Sequence, residues 1–154
     1  MTRKPADEDP RAQPSGEQMR RAVLGDAHVD RARAKTTPFT AAFQELIERY
    51  AWGEIWTRPG LPRAERSIVA LAVLATLKQD DELALHVVGA VRNGLTPEQI
   101  AEIFLQVAVY AGVPAANRAF AVAQSALSDA GLLPGPAPSR ATAAGTSASE
   151  DEDA

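Results

Sequence analysis

The chain is predicted to be all-α: a compact domain of about six helices over residues 17–133 that associates with copies of itself. Three observations carry this. Apolar residues recur at spacings of three and four through the middle of the chain. Extended β-branched alternation is absent. Helix start and stop signals recur, at Thr37-Pro38, Pro62, Asn93-Gly94, Thr96-Pro97, Pro114 and Gly131.

The elements follow in order. Residues 17–24 form a short helix that Gly25 stops, and Asp26 caps another over 27–34. Thr37 followed by Pro38 marks the start of a longer helix. It carries Phe39, Phe43, Leu46, Ile47 and Tyr50 as one apolar stripe. Pro62 opens a helix through Lys78 whose stretch SIVALAVLATL is apolar almost all round, which predicts a central, buried helix. Asp80 or Asp81 caps the next, which ends at Asn93-Gly94. Thr96-Pro97-Glu98-Gln99 combines a cap, a proline and a capping-box glutamine ahead of Ile100, Ile103, Phe104 and Val107. Pro114 starts the last helix. Short connections make sequential helices neighbours.

The two ends read differently. Residues 1–16 are polar and proline-rich. Residues 134–154 have no large apolar side chain and finish in an acidic run. Neither can bury enough surface to offset its ordering entropy, so both are expected to be disordered tails. The 154 residues hold 16 Lys plus Arg and 20 Asp plus Glu, a net charge of −4. The acids Asp7, Glu8, Asp9, Glu17 and 150–153 outnumber Arg3, Lys4, Arg11 and Arg140, so the net acidity sits at the ends. No basic footprint for nucleic acid exists. The chain has no cysteine, which excludes a thiol nucleophile, a redox pair and a thiolate metal site. With two histidines, a His-rich metal centre within one chain is not expected. No apolar run suits a membrane span and no secretory signal opens the chain, so a soluble cytoplasmic protein is expected.

Two stretches are rich in chemistry. Glu82 and His86, four residues apart, share a helix face, and Gln79, Asp80 and Asp81 stand at that helix's start. Glu65 lies near the start of the preceding helix. A lone imidazole among Leu83 and Val87 is more often a satisfied core residue than a catalyst. The other stretch, YAWGEIWTRPGL (50–61), holds both tryptophans, Trp52 and Trp56, with Glu54 and Arg58. Gly53, Pro59 and Gly60 break it, so it reads as a non-helical segment suited to a pocket wall or a sealed helix end. Arg58, Arg63 and Arg66 cluster around the start of the helix that follows.

RRAVLGDAHVDRA (20–32), YAWGEIWTRPGL (50–61), ELALHV (82–87), RNGLTPEQIAEIFLQ (92–106) and VYAGVPAANRAF (109–120) together resemble the 4-carboxymuconolactone decarboxylases of protocatechuate breakdown in the β-ketoadipate pathway. The likeness covers about residues 18–127. It implies the alkylhydroperoxidase D-like helical fold, no cofactor and a ring-like homo-oligomer, trimer or hexamer. The peroxidases of the same superfamily carry Cys-x-x-Cys-x-x-x-His. Here those positions are Gln79, Glu82 and His86, so the imidazole is kept and both thiols are gone. The implied substrate is a small dicarboxylate lactone. The implied site has His86 as proton donor or oxyanion stabiliser, oriented by Glu82 or Glu65. Arg58 and Arg66 bind carboxylates, since arginine forks match them. Trp52 and Trp56 hold the ring and exclude water. Glu54, Tyr110 and Asn117 are further substrate-binding candidates, the last two carried over with the YAGVPAAN block. His28 reads as structural or interfacial. Two alternatives stay open: a non-catalytic helical oligomer on the same scaffold, and a lyase or isomerase acting on a related lactone. A core of little over 110 residues with a nearly all-apolar helix also argues for self-association on burial grounds.

Overall fold

The structure, a computed structural model, describes residues 13–133; of the two tails read above, all but residues 13–16 lie outside the described residues. Seven α-helices follow one another: α1 Gly16–Leu24, α2 Asp26–Ala34, α3 Ala41–Leu46, α4 Arg63–Leu77, α5 Asp80–Arg92, α6 Pro97–Ala111 and α7 Val113–Asp129. A π-helical segment, Ile47–Ile55, continues α3. There is no strand among the described residues.

Most boundaries follow from local chemistry. Ser15 and Gln18 form a reciprocal capping box on α1: the Ser15 N–H donates to Gln18 Oε1 at 2.7 Å and the Gln18 N–H to Ser15 Oγ at 3.2 Å. Thr96 and Gln99 do the same for α6, at 2.9 and 3.2 Å. Gly25, at φ +87°, turns the chain from α1 into α2. Three expectations are corrected. Asp26 is the first residue of α2 and Gln79, not Asp80 or Asp81, is the cap residue of α5; neither helix has a side-chain cap. The Asp80 carboxylate is instead engaged by Arg118 of α7 at 2.8 Å. Thr37-Pro38 does not open a helix. The Thr37 carbonyl accepts from the N–H groups of Thr40 and Ala41, closing a turn that delays the helix to Ala41.

The third correction concerns Tyr50–Ile55, which is π-helical and not irregular. The Trp56 N–H donates to the Ala51 carbonyl at 2.9 Å, an i→i+5 bond. The segment lies close against α1. A Cβ on Gly16 would collide with the Glu48 carbonyl oxygen, and one on Gly53 would sit 3.6 Å from the Gly16 Cα. Glycine on both sides lets the two backbones meet.

Two packed regions result. The larger lies among α4, α5, α6 and α7 and buries Leu71, Leu83, Val87, Ile100, Phe104 and Leu127. Phe104 meets Phe120 edge-on at 5.6 Å. The smaller lies between α1 and the π-helical segment and buries Met19, Val23, Leu24 and Trp52, with Ile47, Trp56 and Leu85 against them. α5 belongs to both. Gly89 permits this, because a Cβ there would stand 2.9 Å from the Val23 carbonyl oxygen. Arg92 of α5 also donates to the Leu24 carbonyl at 2.9 Å, satisfying the end of α1.

The near-uniform apolarity of α4 does not make it a central helix in the single chain. Only Ser67, Leu71 and Ala75 are buried on it, while Ile68, Val69, Val73 and Leu77 are 40–61% exposed. The Phe39-to-Tyr50 stripe is likewise outward: Phe39 is 95% and Phe43 60% exposed, and Ile47 alone of the five packs against the smaller region.

Candidate active site

α5 carries His86 on the side that faces the smaller region, where the two indoles meet it. The Trp52 and Trp56 rings stack at 5.1 Å. The imidazole lies 6.3 Å from Trp52, nearly parallel to it at 6°, and 6.1 Å from Trp56. The two indoles stand four residues apart, Trp52 within the π-helical segment and Trp56 as its C-cap, and so share one side of it. Such clustering of aromatic rings contributes about 0.5–1.5 kcal/mol per pair beyond area burial, and it strips water from the imidazole.

His86 is half-buried, and its Nδ1 is fully buried without a hydrogen-bond partner among the described residues. A buried, unsatisfied ring nitrogen costs stability, of order 1–3 kcal/mol. Burial holds the imidazole below its ordinary value of 6.5; the negative charge of Glu82 works against this, and His28 reinforces it. His28 is lowered too, first by burial, then by Arg20 and Arg31, with Glu82 opposing. Both imidazoles are therefore neutral near pH 7. A neutral ring offers one N–H donor and one acceptor nitrogen.

The structure sorts the remaining candidates. Glu82 is exposed on α5, and its charge reaches both imidazoles. Glu65 is exposed on α4 and is not among the groups acting on His86. Trp56 also lines a cavity of about 450 Å³ with Met19, Arg58 and Arg63. Arg58 is exposed at that cavity, and its carbonyl accepts from Arg66 Nη2 at 2.8 Å. Arg66 Nε is buried without a partner. Glu54 is exposed and pairs with Arg49 at 3.3 Å. Tyr110 is 82% exposed and lines an apolar groove between α4 and α6, with Ile68, Ala72 and Val107. Asn117 is exposed on α7. Neither joins the stacked rings.

Sequence reasoning passed over two residues. His28 of α2, read as structural or interfacial, acts by its charge on His86 and lines a cavity of about 710 Å³ with Arg31 and Arg92. Its place in the GDAHVDR block was the available signal. Arg20 of α1 is a buried cation whose one side-chain hydrogen bond goes to the neutral Gln44, and it was not singled out at all.

An imidazole held neutral against a stacked pair of indoles, on a thiol-free helical scaffold, suits proton and oxyanion chemistry and not thiol redox. Residues 41–125 match the carboxymuconolactone decarboxylase family, and the chain belongs to that family. It is 43% identical over 119 residues to the 4-carboxymuconolactone decarboxylase of Acinetobacter baylyi, covering 77% of this chain and 89% of that protein. It is also 43% identical over 114 residues to the nitrosuccinic acid decarboxylase of Metarhizium robertsii, covering 74% and 80% respectively. A 40-residue stretch is 58% identical to a 4-carboxymuconolactone decarboxylase of Pseudomonas putida, covering 26% of this chain and 83% of that protein.

Proposed function

We propose that the chain is a carboxy-lyase that converts 4-carboxymuconolactone to the enol-lactone of 3-oxoadipate without a cofactor. The observation that carries this is His86, neutral and with an unpartnered Nδ1 against Trp52 and Trp56, in a chain so close to a named decarboxylase over most of both lengths.

The chemistry follows from the substrate. Its departing carboxylate sits on the ring carbon bonded to the lactone oxygen. When that C–C bond breaks, CO2 leaves, and the electron pair passes through the ring C=C into the lactone carbonyl. A proton then adds at the carbon α to the carbonyl. The acceptor is built into the substrate. The nitro group of the nitrosuccinic acid handled by the fungal relative plays the corresponding part, which explains how one scaffold serves both.

His86 presents an N–H to the lactone carbonyl oxygen as charge arrives there. A positioned donor of this kind contributes about 3–4 kcal/mol. The depressed proton affinity of the free protein favours this neutral-donor role over a standing imidazolium. The negative charge of Glu82 acts on the ring and favours its taking up a proton. Trp52 and Trp56 keep water from the departing carboxylate, which is least stable where it is least solvated. Arg58, exposed at the cavity beside Trp56, meets the dianion first, and Arg66 is tethered to its carbonyl.

The protein acts as a homo-oligomer, a trimer or hexamer. The outward faces of α4 (Val69, Val73, Leu77) and of the Phe39–Tyr50 stripe are apolar surface that a second copy covers. Light scattering should give a mass well above that of one chain. The test of function is direct: purified protein, dialysed against chelator, is given the lactone and evolved CO2 is measured. Stoichiometric CO2 with formation of the enol-lactone is expected. No turnover by folded oligomer would reject the assignment.

A further inference from the structure

α1 carries two adjacent arginines with opposite surroundings. Arg21 is partly exposed, yet three carboxylates gather on it: Glu17 at 3.0 Å, Asp30 at 2.8 Å and Asp26 at 3.3 Å. Arg20 is only 7% exposed and has no carboxylate within 4.0 Å among the described residues. Its one side-chain bond is from Nη1 to the neutral Gln44 Oε1, at 3.3 Å, and its Nε is buried with no partner. This is the reverse of what stability alone would select, because a buried cation without a counter-ion is expensive and an exposed pair contributes little.

Arg20 shares α1 with Met19 and Val23, which pack against Trp52, and its charge reaches His28, whose own charge acts on His86. Arg20 is thus next in the chain to a residue that packs against the stacked rings, on the helix that walls them. We propose that Arg20 is the buried carboxylate anchor of the site, its free Nε–H and terminal N–H groups forming a fork for the carboxylate that the substrate keeps. This rests on the decarboxylase reading above and names the substrate contact within it. The retained carboxylate is the right partner. A strong ion pair to the departing one would stabilise the ground state more than the transition state and slow the reaction. Holding the retained arm is uniform binding, felt in KM rather than kcat.

The test uses Arg20→Met, close in length and uncharged, and Arg20→Lys, which keeps the charge and loses the fork. For Arg20→Met, KM for the lactone should rise about 10–100-fold with kcat within a few-fold of the parent. Its melting temperature without ligand should be unchanged or higher, because an unpaired buried charge has gone. Arg20→Lys should fall between the two in KM. Succinate, a plain dicarboxylate, should raise the melting temperature of the parent protein and not that of Arg20→Met. That arm stands even if the parent fails to turn over the lactone, so failure of the anchor and failure of the decarboxylase assignment are told apart. An unchanged KM in Arg20→Met would overturn the proposal, as would a melting temperature lowered with KM unchanged, which would make Arg20 the partner of another part of this chain. If Arg20→Met does not fold, a parental KM in Arg20→Lys overturns it equally.

Discussion

Between α4 and α7 the buried side chains are Leu71, Leu83, Val87, Ile100, Phe104 and Leu127; between α1 and the π-helical segment they are Met19, Val23, Leu24 and Trp52, with an arginine buried and a histidine stacked among them. The first set fills a space. Its buried hydroxyl, Ser67, accepts from Asn93 Nδ2 at 2.9 Å. The second leaves Arg20 Nε and His86 Nδ1 unpartnered and gathers both indoles of the chain over one imidazole. Unpartnered buried atoms occur beside both sets, Arg66 Nε on α4 and Asn93 Oδ1 at the end of α5 included, but only the second buries a charged residue and stacks an imidazole; joined by the shared helix α5, the two make the arrangement expected of a scaffold and its site. The contrast teaches where mutation should cost activity and where it should cost folding.

The largest effect should be on chemistry. His86→Ala should lower kcat by about 10²–10⁴-fold while far-ultraviolet circular dichroism stays that of the parent. Near-parental turnover would remove the imidazole from the reaction. On the other side of the molecule, Phe104→Ala should cost about 3–5 kcal/mol of unfolding free energy in urea, with KM for the lactone unchanged. A loss under about 1 kcal/mol would mean that the larger region is not the stabilising one.

The seam between the regions is Gly89. A methyl there meets the Val23 carbonyl oxygen at 2.9 Å, and α1 must give way. Gly89→Ala should cost about 1–3 kcal/mol and, by shifting α1 from α5, should impair turnover as well. A variant of parental stability would show that α1 is free to slide.

The smallest effect sharpens the contrast through pH. His86 and His28 are both held below their ordinary 6.5, chiefly by burial. The folded chain therefore binds fewer protons than the unfolded chain as pH falls through 6.5, and stability drops there. Above 6.5 neither group contributes to the pH dependence. Unfolding free energy measured from pH 8 to 5.5 should be flat and then decline, whereas kcat/KM should hold to lower pH and fall only as the folded ring, with its depressed proton affinity, is protonated. A rise in kcat/KM on acidification would instead assign the work to an imidazolium.

How much of this was legible in the sequence follows the same division. The capping box at Thr96 and the stop at Gly25 are local chemistry, and residues three apart in the chain settle them. The Thr37-Pro38 signal was also local but closed a turn, because Thr37 and Thr40 bonded each other first. The π-helical turn was not legible. Gly53 read as a break, whereas its bare backbone serves the close approach of Gly16 more than thirty residues earlier. The apolar face of α4 was legible as apolar but not as outward, since periodicity cannot say whether a neighbour in the same chain or in another copy covers it. Within the site, Glu82, His86 and the two tryptophans stood out by spacing and rarity. Arg20 did not, because burial of a cation without a partner is a property of three-dimensional neighbours alone.

The two indoles make the central claim directly measurable. Trp52 and Trp56 are the only tryptophans in the chain, and both lie against His86. Titrating the His86→Ala protein with 4-carboxymuconolactone while following tryptophan emission should give a saturable change, since both emitting rings border the site proposed to hold the lactone. Emission that stays constant across concentrations at which the parent protein turns the lactone over would put the substrate elsewhere and contradict the site described.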